Sequence, residues 1–202
     1  YQNLINPQII YARVTNEDNL YDPKCFAIVE VILKVEELEE IVFEDDYRLC
    51  VDEEGNPLEE ESGSMSPPVI DTFLDPEMYT FEWYLDGELL PGETNPFIIA
   101  TSGGEYMVVA TDIATGCVTS GVATVWVSSP AFNARTQVVK NAFGGTYTIT
   151  VLSDGLGEYE YQLNDGPFQS SNIFADVDLG PGGHTITIRD VNGCGLVVIE
   201  VG

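Results

Sequence analysis

Basic side chains are scarce in this sequence: 7 Lys and Arg stand against 34 Asp and Glu, with a single His, for a formal net charge of −27. A surface of that sign repels phosphate backbones and anionic headgroups, which excludes an ordinary role on nucleic acid or anionic lipid. Cysteine is sparse as well. Cys25, Cys50, Cys117 and Cys194 include no C-x-x-C pair, so no zinc ligand set is spaced for binding. No apolar run approaches the ~20 residues of a membrane helix. No signal peptide opens the chain; Tyr1 to Ile10 read as the middle of a folded module, so we take the chain as a fragment whose targeting signals lie elsewhere. Convincing amphipathic helix is missing too, Glu36 to Phe43 being the one candidate, and its β-branched end favours a linker entering a strand.

Catalytic signatures are equally thin. The P-loop, the dinucleotide fingerprint, HExxH and the nucleophile-elbow glycine pattern are all missing. The lone His184 sits in a strand-start slot filled by Tyr11 and Tyr106 elsewhere in the chain, which suits packing or a strand-end hydrogen bond. Paired carboxylates carry no information, because 34 acids place some pair together by chance. The sequence therefore reads as non-enzymatic.

What is present is the chemistry of strands. With 44% hydrophobic residues the chain can build a core. Val, Ile, Tyr and Phe mixed with Thr suit a pleated, half-buried surface, and 19 Gly and 11 Pro punctuate them. Phe81, Trp83 and Leu85 alternate before Asp86-Gly87, a hairpin-turn pair; Tyr159, Tyr161 and Leu163 repeat this before Asp165-Gly166. Tyr147, Ile149 and Val151 alternate with threonines, Ile186 and Ile188 do likewise, and Val122, Val125 and Val127 with Trp126 form a closing strand.

These segments are copies of one unit. From the Gly of the Asp-Gly turn to the second Gly of a Gly-Gly pair is 17 residues in both, 87 to 104 and 166 to 183. Each copy then runs through a strand to Asp112…Gly116-Cys117 or Asp190…Gly193-Cys194. A third, partial copy opens the chain, with Tyr11 to Asn16, Cys25 and the apolar run Phe26 to Val35. Short strands at this spacing predict an all-β fold of tandem immunoglobulin-like β-sandwich modules. The expected division is 1–36 as the tail of one module, 37–128 as a complete acidic module and 129–202 as a shorter one, with short linkers around Glu36 to Ile41 and Val127 to Phe132.

Cys25, Cys117 and Cys194 share one slot, just past a late strand, whereas Cys50 lies on an early strand of the complete module. The economical expectation is a Cys50–Cys117 disulfide beside Trp83 in an oxidising compartment. Cys25 would then pair upstream, and Cys194 would be free or paired externally. The complete module departs from an antibody domain, since Val108 stands two residues after Tyr106, where the second Cys would be.

The third module, with Glu158-Tyr-Glu-Tyr-Gln-Leu-Asn-Asp-Gly-Pro-Phe and Gly183-His-Thr-Ile-Thr-Ile-Arg-Asp-Val-Asn-Gly-Cys194, resembles the SprB-type repeat of large surface adhesins from gliding Bacteroidetes. The central module, with Phe81-Glu-Trp-Tyr-Leu-Asp-Gly and Gly104-Glu-Tyr, is similar to the immunoglobulin-like modules that accompany those repeats. The resemblance implies an extracellular, outer-membrane-associated filament exported by the type 9 secretion system and used in attachment or gliding. Its partners would be neighbouring modules of the same chain and surface or secretion machinery.

The acids suggest one cofactor, calcium, with Asp45, Asp46, Asp52, Glu53 and Glu54 plus Asp112 or Asp190 as oxygen donors, although no EF-hand or nonapeptide spacing is present. Loose counterion screening of a solvated acidic face is the plainer expectation. A binding module for glycan or protein is the alternative function, for which Tyr79, Tyr84 and Phe97 are candidate exposed aromatics.

Overall fold

A computed structural model describes residues 5–15, 26–35, 38–43, 47–58 and 67–201. The described elements are strands joined by turns, and the chain divides into two compact units, Tyr1–Glu39 and Glu40–Gly202.

The first unit is an antiparallel hairpin of β1 (Gln8–Thr15) and β2 (Phe26–Leu33), in register from Gln8↔Leu33 to Thr15↔Phe26. Because side chains alternate across a pleat, Ile10, Ala12, Val14, Ala27, Val29, Val31 and Leu33 share one face, aliphatic except for Gln8 at its end. The other face is mixed, and there Arg13 stacks over the Phe26 ring, 4.2 Å from its centroid.

The second unit holds two sandwiches in series. In the first, β3 (Tyr47–Cys50), β5 (Tyr79–Leu85), β6 (Glu88–Leu89), β8 (Gly104–Asp112) and β9 (Val118–Ser128) form a sheet ordered β3-β9-β8-β5-β6. It shares a core with the two-stranded sheet of β4 (Val69–Asp71) and β7 (Phe97–Ile99), through Ile70 and Ile98 on one side and Phe81, Trp83, Tyr106, Val108 and Val125 on the other. Trp83 is fully buried and its indole N–H donates to the Asn95 carbonyl at 2.9 Å. All pairs in the large sheet are antiparallel except β3 with β9, which is parallel and sets Cys50 opposite Ser128.

The turn chemistry is the one anticipated at Asp86-Gly87: both residues take positive φ, 50° and 83°, closing the β5–β6 hairpin. In the second copy the left-handed residue is Asn164 (φ 52°), one position before Asp165-Gly166. On β9 the inward positions are Gly121, Ala123 and Val125, so Val122 and Trp126 face outward. Gly121 is small for a reason: a Cβ there would stand 2.6 Å from Ile41 and 2.8 Å from Phe43. The described segment 38–43 is thus neither helix nor strand; its buried Ile41 lies against β9.

The second sandwich packs β10 (Phe132–Lys140), β11 (Tyr147–Asp154) and β13 (Ile173–Val177) against β12 (Tyr159–Leu163), β14 (Thr185–Asp190) and β15 (Leu196–Glu200). Its core gathers Ala131, Val151, Ile186 and Ile188, with Phe174, Val197 and Ile199 beside them. The sequence copies appear here as three like hairpins: β1–β2, β8–β9 and β14–β15.

Candidate functional site at the joint between two sandwiches

The sulfur bridge joins Cys50 to Cys194, not Cys50 to Cys117: the two Cα atoms are 5.2 Å apart across 144 residues of sequence. This overturns the Cys50–Cys117 pairing, since Cys117 is free and exposed, and of the two options for Cys194 it is the pairing outside its own module that holds. The physical reason is strand direction. Parallel pairing puts Cys50 beside Ser128, at the far end of β9, while Cys117 immediately precedes Val118 at its near end. Ten residues of strand separate those ends by about 33 Å, far beyond the ~7 Å limit for bridged Cα atoms. Cys50 instead meets the β14–β15 loop of the following sandwich. Cys25 lies outside the described residues.

The bridge sits in a buried polar joint. Between β9 and β10 only Ser129, Pro130 and Ala131 intervene, and Ser128 and Ser129 are almost wholly buried. The short linker expected around Val127 to Phe132 is thus a packed segment. Asp190, 5% exposed, organises it. Its Oδ2 accepts from the Ser128 hydroxyl at 2.9 Å and from the Cys194 backbone N–H at 3.0 Å. Asn192 extends the contact, donating to the Ser128 hydroxyl at 3.4 Å, while the Arg48 guanidinium donates to the Asn192 carbonyl at 3.3 Å. Asp190 Oδ1 is buried with no hydrogen-bond partner.

Tyr159 clamps the connecting segment from the other side. Its hydroxyl faces the carbonyls of Ser129 and Pro130 at 3.1 and 3.2 Å and accepts from the Gly157 N–H at 3.0 Å. The Leu156 N–H donates to the Ser129 hydroxyl at 2.8 Å. Gly157 is required by this closeness, because a Cβ would fall 2.6 Å from Asp190 Oδ1 and 2.7 Å from the Ser129 carbonyl. At the rim, the Asn133 side chain donates to Glu53 at 2.8 Å.

Among the described residues the calcium candidates do not converge. Asp45 and Asp46 lie outside the described residues. Asp52 holds the Asn56 backbone and side-chain N–H groups, and Glu53 takes Asn133. Asp112 binds its own loop, accepting from the Ala114 and Thr115 N–H groups and the Thr115 hydroxyl, while Asp190 serves the joint. Among the described residues no three His, Cys, Asp or Glu are grouped as a cation site.

Two of these acids make the fold sensitive to acid. Hydrogen bonds from Asn56 hold the Asp52 carboxyl below its ordinary range, and those from Thr115 do so for Asp112. A depressed folded-state pKa contributes stability above the unfolded value near 3.8 that is lost as pH falls through the folded one. Asp112→Ala is therefore expected to lower the melting temperature at pH 7, with the gap to wild type closing by pH 2; a gap that persists there contradicts the assignment. Thiol chemistry gives a second check. Without reductant, iodoacetamide should label Cys117 within minutes and leave Cys50 and Cys194 untouched until the protein is unfolded and reduced, as peptide mass spectrometry reads directly.

The candidate aromatics do not share a face. Tyr79 is buried, Tyr84 points outward from the five-stranded sheet, and Phe97 lies on the opposite sheet. Around Tyr84, however, strand register lines up Leu89, Tyr84, Met107 and Val122 in one row across four strands. Leu89 and Val122 are half exposed, Trp126 lies farther along the same face, and Glu82 and Glu105 flank the row. Sequence reasoning found Tyr84 but missed the row, because a row is a property of register between strands distant in sequence. Desolvation, then the Glu82 carboxylate, pushes the Tyr84 hydroxyl above its ordinary pKa. A separate groove of about 310 Å³ runs beside β7, between Leu85, Leu90, Ile98 and Tyr106, and Glu93 is the one ionisable acid along it. His184 sits at its strand start, its Nδ1 3.0 Å from the Asn164 amide. No helix among the described residues is long and apolar enough to cross a membrane.

Facing sheets of antiparallel strands, joined in the first sandwich by an edge strand β3 that pairs in parallel with β9, define the class: these are immunoglobulin-like β-sandwiches in tandem. No protein-family model matches the chain, and no curated protein does. Among solved structures, the chain is similar to Sidekick-1 immunoglobulin domains 1–5, at 14% identity over 96% of this chain and 46% of that one, with a TM-score of 0.47. It is also similar to the N-terminal eight Ig domains of Down Syndrome Cell Adhesion Molecule, at 11% identity over 98% and 37%, TM-score 0.45. The CD2-binding domain of CD58 is similar at 10% identity over 78% and 95%, TM-score 0.40. The chain spans less than half the length of the first two of these structures.

Proposed function

We propose that this chain is part of the stalk of a large secreted adhesin, exported by the type 9 secretion system onto the surface of a gliding bacterium and used in attachment or movement. The observation that carries the reading is the joint: one sandwich is fixed to the next by a covalent bridge, a buried connecting segment and a hydrogen-bonded carboxylate. Ordinary tandem domains turn about exposed linkers, whereas a spacer that must present a distant tip benefits from a joint that does not. The resemblance of the Tyr159–Cys194 segment to gliding-adhesin repeats supports the cellular setting. The function is mechanical, and the acidic surface keeps such a filament soluble and unattached along its length.

The test is replacement within the parent protein. Exchanging residues 40–202 for an unrelated rigid tandem sandwich of equal length should leave cell attachment intact, and antibody to the chain should stain intact cells. Loss of attachment with the substitute at normal surface levels would refute the spacer role.

The row on the outer face of the five-stranded sheet favours a second reading, a protein-binding module. An apolar strip flanked by Glu82 and Glu105 complements a partner with an apolar strip and a basic rim, and the net charge of −27 disfavours a second copy of the chain. If binding by the isolated chain is found and Met107→Glu abolishes it, this reading replaces the first.

A further inference from the structure

We propose that the Cys50–Cys194 bond carries tension past both sandwiches, so that a pull along the chain peels off only their end segments and never unravels the residues inside the loop. The inference follows from where the bridge lies in the sequence and stands whether or not the chain is a stalk. Load arriving from the N-terminal side enters the Glu40–Gly202 unit at Ile41 and Phe43, which pack on the first core, and then at β3, whose last residue is Cys50. Load leaving toward the C-terminus departs through Gly195 and β15, immediately after Cys194. The bridge short-circuits everything between. Trp83, Ile70, Val108, Val151, Ile186 and Ile188, which centre the two cores, all lie inside the loop it closes. Tension can pull Ile41 and Phe43 off the first core, strip the four residues of β3 from β9 and the five of β15 from β14, and then meets a covalent bond.

The consequence is a sharp dependence of extensibility on the bridge. The loop holds 144 of the chain's 202 residues of length. At ~3.6 Å per residue, the segments outside it extend by at most about 200 Å, and opening the bridge releases about 500 Å more. Both cysteines are 1% exposed, so a reductant reaches the sulfurs readily only after β3 has been pulled away.

The experiment is single-molecule pulling on the full chain with handles at its two ends, in a Cys25→Ser/Cys117→Ser background that leaves Cys50 and Cys194 as its cysteines. The oxidised molecule should yield no more than about 200 Å at forces that unfold sandwich domains. Adding a water-soluble phosphine then cleaves the S–S bond: two electrons from phosphorus, with two protons, give two thiols, and water supplies the oxygen of the phosphine oxide. A further extension of about 500 Å should follow, several-fold sooner under load than after the same exposure without load. An oxidised molecule that extends by the full length overturns the proposal, as does reduction without added extension or at a rate independent of load. The Cys50→Ser/Cys194→Ser variant should reach full extension without phosphine; if it does not fold, the oxidised molecule reduced in place still decides the question.

Discussion

Replacing Cys50 and Cys194 together by serine is expected to lower the unfolding free energy by about 3–5 kcal/mol. The bridge spans 144 residues, and the entropy that a cross-link removes from the unfolded chain grows with the logarithm of loop length, which puts this one near the upper end of the usual range. Two hydroxyls would also replace the bridge in a site that is 1% exposed on both sides, and the Asp190 carboxylate would remain buried with a loosened Cys194 N–H as its donor. Urea unfolding of oxidised wild type against the double variant measures the difference. Cys117→Ser is the matched control, and its midpoint should stay within ~0.5 kcal/mol of wild type because its side chain is exposed. A loss no larger than that control's would mean that the joint holds without its bridge.

Trp83→Ala is expected to cost about 3–5 kcal/mol, enough to unfold the first sandwich selectively. The indole is fully buried between the two sheets, faces the Phe43 ring at 6.3 Å between centroids and donates to the Asn95 carbonyl. Truncation leaves both a cavity and an unsatisfied acceptor. The second sandwich has its own core around Val151, Ile186 and Ile188, so the loss should stop at the joint. Hydrogen exchange read by mass spectrometry should show protection falling across β5, β8 and β9 while β11 and β14 keep theirs. Uniform loss across both would show that the stapled pair folds as one cooperative unit.

Much of the fold was legible because its determinants are local. The alternation of Phe81, Trp83 and Leu85, and of Ile186 and Ile188, tells which side chains face a core before any partner strand is known. Asp86-Gly87 declares its hairpin, since two successive positive φ angles suit few other pairs. The copying of one unit along the chain is likewise a property of the string itself, and it reappears as three like hairpins. Where local patterning was silent, register decided. The closing strand of Val122, Val125, Val127 and Trp126 is present as β9, and its inward positions are Gly121, Ala123 and Val125, with Ile41 and Phe43 passing over the glycine.

The site belonged to the other category. Cys50 and the three later-slot cysteines were recognisable as two kinds, and Asp190 was visible as an acid in a repeated loop. Nothing in the sequence near Tyr47–Cys50 states that this strand pairs in parallel with β9. That one choice of direction carries Cys50 to the pole where the next sandwich begins and away from Cys117. The sequence by itself determined the strands, their turns, their repetition and a strongly acidic surface, because each depends on residues a few positions apart. The tertiary structure alone decided which cysteines meet, which carboxylate is buried and which segment is clamped, because those depend on groups 144, 62 and 30 residues apart in sequence.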